Sequence, residues 1–341
     1  MARWWMLLAL WWLLTAGGVP AWAARDSTDV VLGGPDTEFY GPLPSPSQDP
    51  LAILVLQPLA EAAALLPAGV RNLTVSLAAT SDRRLEDAQG VHEKYQYGLT
   101  TLQLNYRQRL RRGELGVQLP VYLRGDDYLA PFIDDYHELF GFRSRQTPDF
   151  PHGGYAYDIA TPAGTVYAGD SRGTALGELS LSYKQPVWQT PDGRRVLSAR
   201  ASVKAPTGRP SLATSSGSWD EGLGLLYQQR LGQRLQLYGN YDFILTGDPA
   251  WPHAQRQNVV QFVACAEYKL RPGLSATAQF QQATNPLTLG NSQSDQDEGE
   301  LAAGFRGRVR DGRTWSAWLR EDIHGNTGPD VTFAGALGWE W

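Results

Sequence analysis

The chain has 341 residues and carries 35 acidic against 30 basic side chains, a formal net charge of −5, which leaves no electrostatic footprint for nucleic acid. Its single cysteine, Cys265, excludes an internal disulfide or a cysteine-based zinc cluster. Beyond the N-terminus no apolar run approaches the roughly 20 residues that a membrane-spanning helix needs, so residence in a membrane requires a closed β-barrel.

The chain begins with the pattern of an export signal. Arg3 supplies a positive charge, Trp4 to Ala16 form an apolar run, Gly17, Gly18 and Pro20 break it, and Ala21-Trp22-Ala23 is an A-x-A cleavage site. Residues 1–23 are therefore expected to be removed, and loss of Arg3 takes the net charge from −5 to −6. Thirteen residues are too few to serve as a retained anchor, and no cysteine follows the signal to accept a lipid. Residues 24–69 do not alternate. Gly33, Gly34, Pro35, Gly41, Pro42, Pro44, Pro46 and Pro50 make them irregular, and the Ala/Leu run between Pro58 and Pro67 predicts a short helix. They are expected to form a periplasmic extension or a plug at the barrel mouth.

From Val70 onward twelve segments alternate with period two, at about 70–80, 95–108, 112–124, 175–187, 194–205, 219–231, 233–245, 257–270, 273–283, 298–310, 313–323 and 330–341. Leu115, Val117, Leu119, Val121 and Leu123 oppose Glu114, Gln118 and Arg124; Leu197, Ala199, Ala201 and Val203 oppose Ser198, Arg200, Ser202 and Lys204. One face suits lipid and the other a wet interior. The connections alternate between tight turns, such as Asp311-Gly312, Arg271-Pro272 and Gly232, and long loops, including 81–94, 206–218, 246–256 and 284–297. Short turns on one side and long loops on the other predict an all-β fold, a transmembrane antiparallel up-and-down β-barrel of about 12 strands over residues 70–341, with both termini on the short-turn side.

The loop 125–174 exceeds the length of a mere connection and is expected on the outer face. Within it Pro131–Phe140 predicts an amphipathic helix stopped by Gly141, and residues 155–159 and 165–167, joined through Pro162-Ala-Gly164, predict a small hairpin. Such a loop is expected to cover the barrel or fold inward.

The last twelve residues close the pattern. Phe333, Leu337, Trp339 and Trp341 share one face and the chain ends on an aromatic ring. This stretch resembles the C-terminal signal of bacterial outer-membrane β-barrels, and the resemblance implies recognition by the barrel-assembly machinery and residence among outer-membrane lipid and lipopolysaccharide. A narrower likeness lies in the long loop. Ile133-Asp-Asp-Tyr-His137 followed by Leu139-Phe-Gly-Phe142 resembles the signature of an uncharacterised outer-membrane family of gammaproteobacteria, a domain of unknown function, and implies no activity.

Three groups of residues are candidates for chemistry. The inward positions combine Arg200, Lys204, Arg306 and Arg308 with Glu178 and Glu267, and with Lys184, Lys269, Glu114, Asp242 and Glu340; facing ladders of opposite charge suit either a narrow channel for a small solute or a lumen closed by ion pairs. The pairs Asp126/Asp127 and Asp134/Asp135 could hold a divalent cation through oxygen, although solvated loop charge reads as well, and no cofactor is expected. His137 with Ser144 and Asp134 is the set from which a lipid hydrolase of the phospholipase or lipid A deacylase type would be assembled. It matches no hydrolase motif, so a non-enzymatic barrel, channel or surface-structural, is the leading expectation. Trp341→Asp is expected to lower the folded, heat-modifiable band in outer-membrane fractions several-fold, whereas Glu340→Gln at the lumen rim should leave it near wild type.

Overall fold

The computed structural model describes residues 39–141, 153–290, 295–324, 327–329 and 331–341; the expected export signal and Ser144 lie outside them. Strands β1 (Arg71–Ala88), β2 (Val91–Arg109) and β3 (Glu114–Gly125) lead into the long loop, which carries helix α1 (Ala130–Phe140) and the short strands β4 (Ala156–Thr161), β5 (Gly164–Ala168) and β6 (Gly173–Leu176). There follow β7 (Leu179–Gln189), β8 (Arg195–Ala205), β9 (Asp220–Leu231), β10 (Leu235–Leu245), the two-residue β11 (Gln255–Arg256), β12 (Val259–Arg271) and β13 (Leu274–Ala283). The chain ends with the two-residue β14 (Leu287–Thr288), then β15 (Glu298–Arg308), β16 (Thr314–His324) and β17 (Val331–Glu340).

Without the five short strands of the loops, each strand pairs with its sequence neighbours, and β17 pairs with β1. The result is a closed antiparallel barrel of twelve strands. The seam runs from Asn72 opposite Glu340 to Thr80 opposite Thr332, and Arg71 and Trp341 exchange backbone hydrogen bonds at 2.9 and 3.1 Å. Closure leaves no edge whose N–H and C=O groups would face lipid unpaired. The tight turns rest on glycines with positive φ: Gly312 at 87° and Gly273 at 74°, a region that costs a side-chain-bearing residue about 1–2 kcal/mol.

Period-two alternation sets the two faces. Leu77, Leu225, Tyr241, Leu301, Phe305 and Leu337 are exposed on the outside, while Thr80, Ser198, Arg200, Lys204, Asp242 and Glu267 are buried inside. An exterior that is apolar and an interior that is charged invert a soluble protein, as a bilayer solvent demands.

Two expectations change. Residues 81–94 are not a loop: β1 and β2, 18 and 19 residues long, continue as one hairpin to a turn at Gln89 and Gly90, both with positive φ. The charges of this stretch still alternate, with Asp82, Arg84 and Glu93 inside, so a strand persists where the apolar face fades. The run Pro58–Pro67 is not helical. It is irregular, with a bend at residues 63–64, and a single 3-10 turn at Ala52–Leu54 is the helical element of the described part of the N-terminal segment.

That segment runs through the lumen. From Tyr40, beside Glu267 near the short-turn end, it rises past Gln279, Arg320 and Glu298, turns over at the 3-10 helix near the long-loop end, and descends past Lys204, Arg200 and Ser198 to Leu66, beside Glu114. Leu43, Leu51, Leu54 and Ala63 are buried along the way. At the long-loop end the long loop divides. The β4–β5 hairpin extends β2 and turns its side chains inward, where Tyr157 donates a hydrogen bond to Pro50 O at 3.0 Å. Helix α1 lies elsewhere, against the outer wall: Phe132 and Tyr136 meet the ring of Phe333 at 5.3 and 6.5 Å between centroids.

Candidate functional site: the occupied lumen

The interior of the barrel is a polar wall facing a polar-backed chain. Inward positions on neighbouring strands stand close to one another, so charges of opposite sign fall into ladders, and the segment 39–66 offers its backbone to them. Glu267 accepts the N–H groups of Tyr40 and Gly41 at 2.9 and 3.0 Å and the hydroxyl of Tyr238 at 2.8 Å. Arg306 donates to the carbonyls of Gly41 and Pro42 at 2.6 and 2.5 Å. Higher up, Arg320 reaches Pro46 O at 2.5 Å and pairs with Glu300 at 2.9 Å, while Ser47 donates to Glu298 at 2.5 Å.

On the descending arm the network is denser. Lys204 Nζ contacts Leu54 O at 2.9 Å, Glu178 at 3.1 Å and Asp220 at 3.0 Å, and Asp220 in turn accepts the N–H of Leu56 at 2.8 Å. Arg200 spans Leu59 O at 2.7 Å, Glu61 at 2.8 Å and Asp242 at 2.7 Å. Lys184 holds Glu61 at 2.7 Å, Ala62 O at 2.9 Å and Glu114 at 3.3 Å. Glu61 is thus the segment's one carboxylate among three wall cations, Arg107 being the third at 3.9 Å. Burial alone would raise its pKa, but Lys184, Arg200 and Arg107 together bring it down to about 2. Asp49, at the top of the rising arm, moves the other way: burial, reinforced by Glu298, holds its carboxyl well above the ordinary range despite Arg84 at 3.8 Å.

Small cavities lie between the segment and the wall. A cavity of about 30 Å³ lies between Ser47, Gln48 and Leu59 of the segment and Thr101, Gln118 and Tyr122 of the wall, and another of about 10 Å³ lies beside Trp318. The first has room for about two water molecules. The long-loop end is sealed by aromatic rings: Tyr157 packs on Tyr95, Tyr97 and Tyr167 at 5.0–5.6 Å, and Arg124 stands over Tyr97 and Tyr157 at 5.1 and 4.9 Å. Arg124, at the end of β3, also donates to Ser171, Leu212 O and Ala213 O, tying two loops together.

The lumen residues singled out from sequence are found in this network, with one difference of place. Arg200, Lys204, Glu178, Glu267 and Arg306 touch the segment or its partners, whereas Arg308 sits at the short-turn rim on Glu340, at 3.4 Å. Glu61 escapes a reading of alternation because it lies outside the predicted strands, and Asp220, although within the predicted strand 219–231, was not among the residues singled out. The available signal for Glu61 was its isolation, as the one charged residue between positions 50 and 70. The loop carboxylates are dispersed. Asp127 and Asp134 both pair with Arg83, at 3.2 and 2.7 Å, Asp126 pairs with Arg172 at 3.4 Å, and Asp135 is exposed. Of the set considered for hydrolysis, Asp134 is engaged by this arginine and His137 lies in α1. On β17, Leu337 and Trp341 are exposed outward and Phe333 is half-buried beneath α1; Trp339 is half-buried on the same face.

A closed twelve-strand barrel with an apolar exterior, a charged interior and lopsided loops is a bacterial outer-membrane β-barrel protein. A solved structure shares the fold. The outer-membrane channel COG4313 of Pseudomonas putida F1 superposes with a TM-score of 0.55 at 15% identity, covering 81% of this chain and 97% of that one. Weaker likenesses include the KdgM porin in complex with disordered oligogalacturonate, with a TM-score of 0.39, 4% identity and 78% and 98% of the two chains. The transport unit of the autotransporter AIDA-I from Escherichia coli gives 0.40, 12% identity and 80% and 89%. No curated protein matches the chain in sequence. Residues 35–341 match the family described as "Protein of unknown function (DUF3187)", and the chain belongs to that family.

Replacing Glu61 by Gln leaves Lys184 and Arg200 short of a buried acceptor and should weaken docking of the segment by about 2 kcal/mol. Reaction of a cysteine placed at Ala62 with a charged thiol reagent should speed up accordingly. Because the folded pKa is depressed, the contribution of Glu61 is complete above its ordinary 4.5 and is lost as pH falls through about 2. The part of the Ala62 cysteine's protection that Glu61→Gln removes should therefore be flat from about pH 8 to 5 and decline in stronger acid.

Proposed function

We propose that this protein is an outer-membrane solute channel held shut by its own residues 39–66. The observation that carries the reading is the manner in which the segment is held. It forms no ladder with the barrel: wall side chains hydrogen bond to its backbone at Gly41, Pro46, Leu54, Leu59 and Ala62, and apolar packing with Tyr95 and Tyr157 is added where it turns over at Leu51–Leu56. Water can replace every one of these bonds. An apolar core cannot be rehydrated in that way, and a barrel that served only as a solid pillar gains nothing from burying this many charges, since desolvating an ion costs several kcal/mol. Withdrawal of the segment would leave a passage lined by Lys184, Arg200, Lys204, Asp220, Asp242 and Glu267, mixed in sign and suited to a small polar solute. The channel named among the similar structures supports the same reading, as does the small-solute expectation from sequence.

On this reading residues 1–23 are cleaved during export and the terminal strand with Trp341 is presented to the assembly machinery. The short-turn end then faces the periplasm and the loop 125–174 faces outward. A surface-structural barrel is the competing account. Planar bilayers separate the two. The intact chain should be mostly closed, and Glu61→Lys, which sets a cation against Lys184, Arg200 and Arg107, should raise open probability several-fold. Silence from both forms, each shown to be folded by its heat-modifiable mobility, would retire the channel and leave the structural barrel.

A further inference from the structure

Helix α1 is strapped to the outside of the barrel by an arrangement unusual for a lipid-facing wall. On β1 the inward residues Asp82 and Arg84 alternate with Ser81 and Arg83, which therefore point outward. An outward arginine at the margin of the apolar belt needs its charge answered, and Arg83 is buried between Asp127 at 3.2 Å and Asp134 at 2.7 Å, while Ser81 hydrogen bonds to Asp127. Tyr128 lies across the outer face of β2, its hydroxyl 2.5 Å from Thr100 Oγ1 and its ring over Gly98, where an added Cβ would come within 2.4 Å of it. Gly98 thus leaves the gap that lets the strap lie flat.

The helix fixed in this way buries Ala130, Ile133 and Asp134 toward the wall. Phe132, Tyr136 and Leu139 fall at i, i+4 and i+7, a single stripe beside that buried face. Phe132 is 55% and Leu139 78% exposed. The stripe is not isolated. Phe132 and Tyr136 contact Phe333, which shares the outward face of β17 with exposed Leu337, and Phe333 lies opposite Ala79, two residues from exposed Leu77. It therefore continues the lipid-facing belt upward without a polar break, while the exposed Asp135 and Glu138 flank it.

We propose that α1 is an interfacial helix whose Phe132–Tyr136–Leu139 stripe is seated in the acyl-chain boundary of the outer leaflet, with Arg83 as the pin that holds it there. The occupant is lipid because the stripe is continuous with a surface that lipid already covers, and an amphipathic helix that sets aromatic and leucine side chains on one side and charge on the other lies in the plane of a membrane interface. The proposal rests on the outer-membrane placement of the barrel and is independent of whether the lumen conducts.

The test uses the full chain, with Cys265→Ala, folded into phosphatidylcholine vesicles and carrying a bimane fluorophore at Leu139→Cys or, separately, at Glu138→Cys. Folding of each is checked by heat-modifiable mobility. The label at 139 should be quenched by phosphatidylcholine bearing a nitroxide on its acyl chain and shielded from aqueous iodide, and the label at 138 should show the reverse. Adding Arg83→Gln should abolish the lipid quenching at 139. Equal iodide quenching at both positions would overturn the proposal. So would shielding at 139 without lipid quenching, which would put a second copy of the chain, or the chain's own loop, on the stripe.

Discussion

Everything in this molecule follows from the need to pair each backbone polar group that crosses lipid. A strand meets that need only if the sheet has no edge, and the pairing of β1 with β17, from Asn72 and Glu340 upward, removes the last one. Closure then dictates the rest. Alternate side chains must face a solvent poorer than water and an interior of fixed size, so Leu77, Leu225 and Leu337 go out while Arg200, Lys204 and Glu267 go in. Twelve strands enclose more volume than their own side chains fill, and the remainder is taken up by the chain that precedes them.

The filling has a different chemistry from the shell. Residues 39–66 carry few charges of their own, yet they lie among buried lysines and arginines of the wall. Their carbonyls satisfy those cations in place of water, and Glu61 concentrates three of them on one carboxylate. At the other end the aromatic seal around Tyr157 performs the same task with ring faces, which accept the guanidinium of Arg124 and exclude water at once. The two ends differ. Ion pairs line both halves of the lumen, and the long-loop half adds the packing of Leu51, Ile53, Tyr95 and Tyr157, so the segment is held by charge along its course and by burial as well above.

The shell was legible in the sequence because its rule is local. Alternation along Leu197–Lys204, turns such as Asp311-Gly312 and the aromatic end at Trp341 each report the environment of a few neighbouring residues. The continuation of β1 past residue 80 was lost for the same reason, since Asp82 and Arg84 look like a solvated loop until the partner strand and the Tyr95 ring are seen beside them. The irregular course of Pro58–Pro67 overrode a helical composition because its N–H and C=O groups find partners on the wall, at Asn240, Gln228 and Ser198. Those pairings join residues more than a hundred positions apart, and no periodicity encodes them. The long loop divided as no composition could foretell, its hairpin turning inward and its helix outward, because the decision rests on Arg83 and Gly98 in other strands.

The course of the segment also has a topological meaning. Its first described residues lie beside Glu267 and its last beside Glu114, both at the short-turn end, so residues 40–66 make a loop rather than a thread. Such a loop forms no knot with the ring around it. It can be present before the first strand pairs, as a mandrel on which the wall is wound, or slide in after the seam has closed. In either order no rung of the β-ladder has to break.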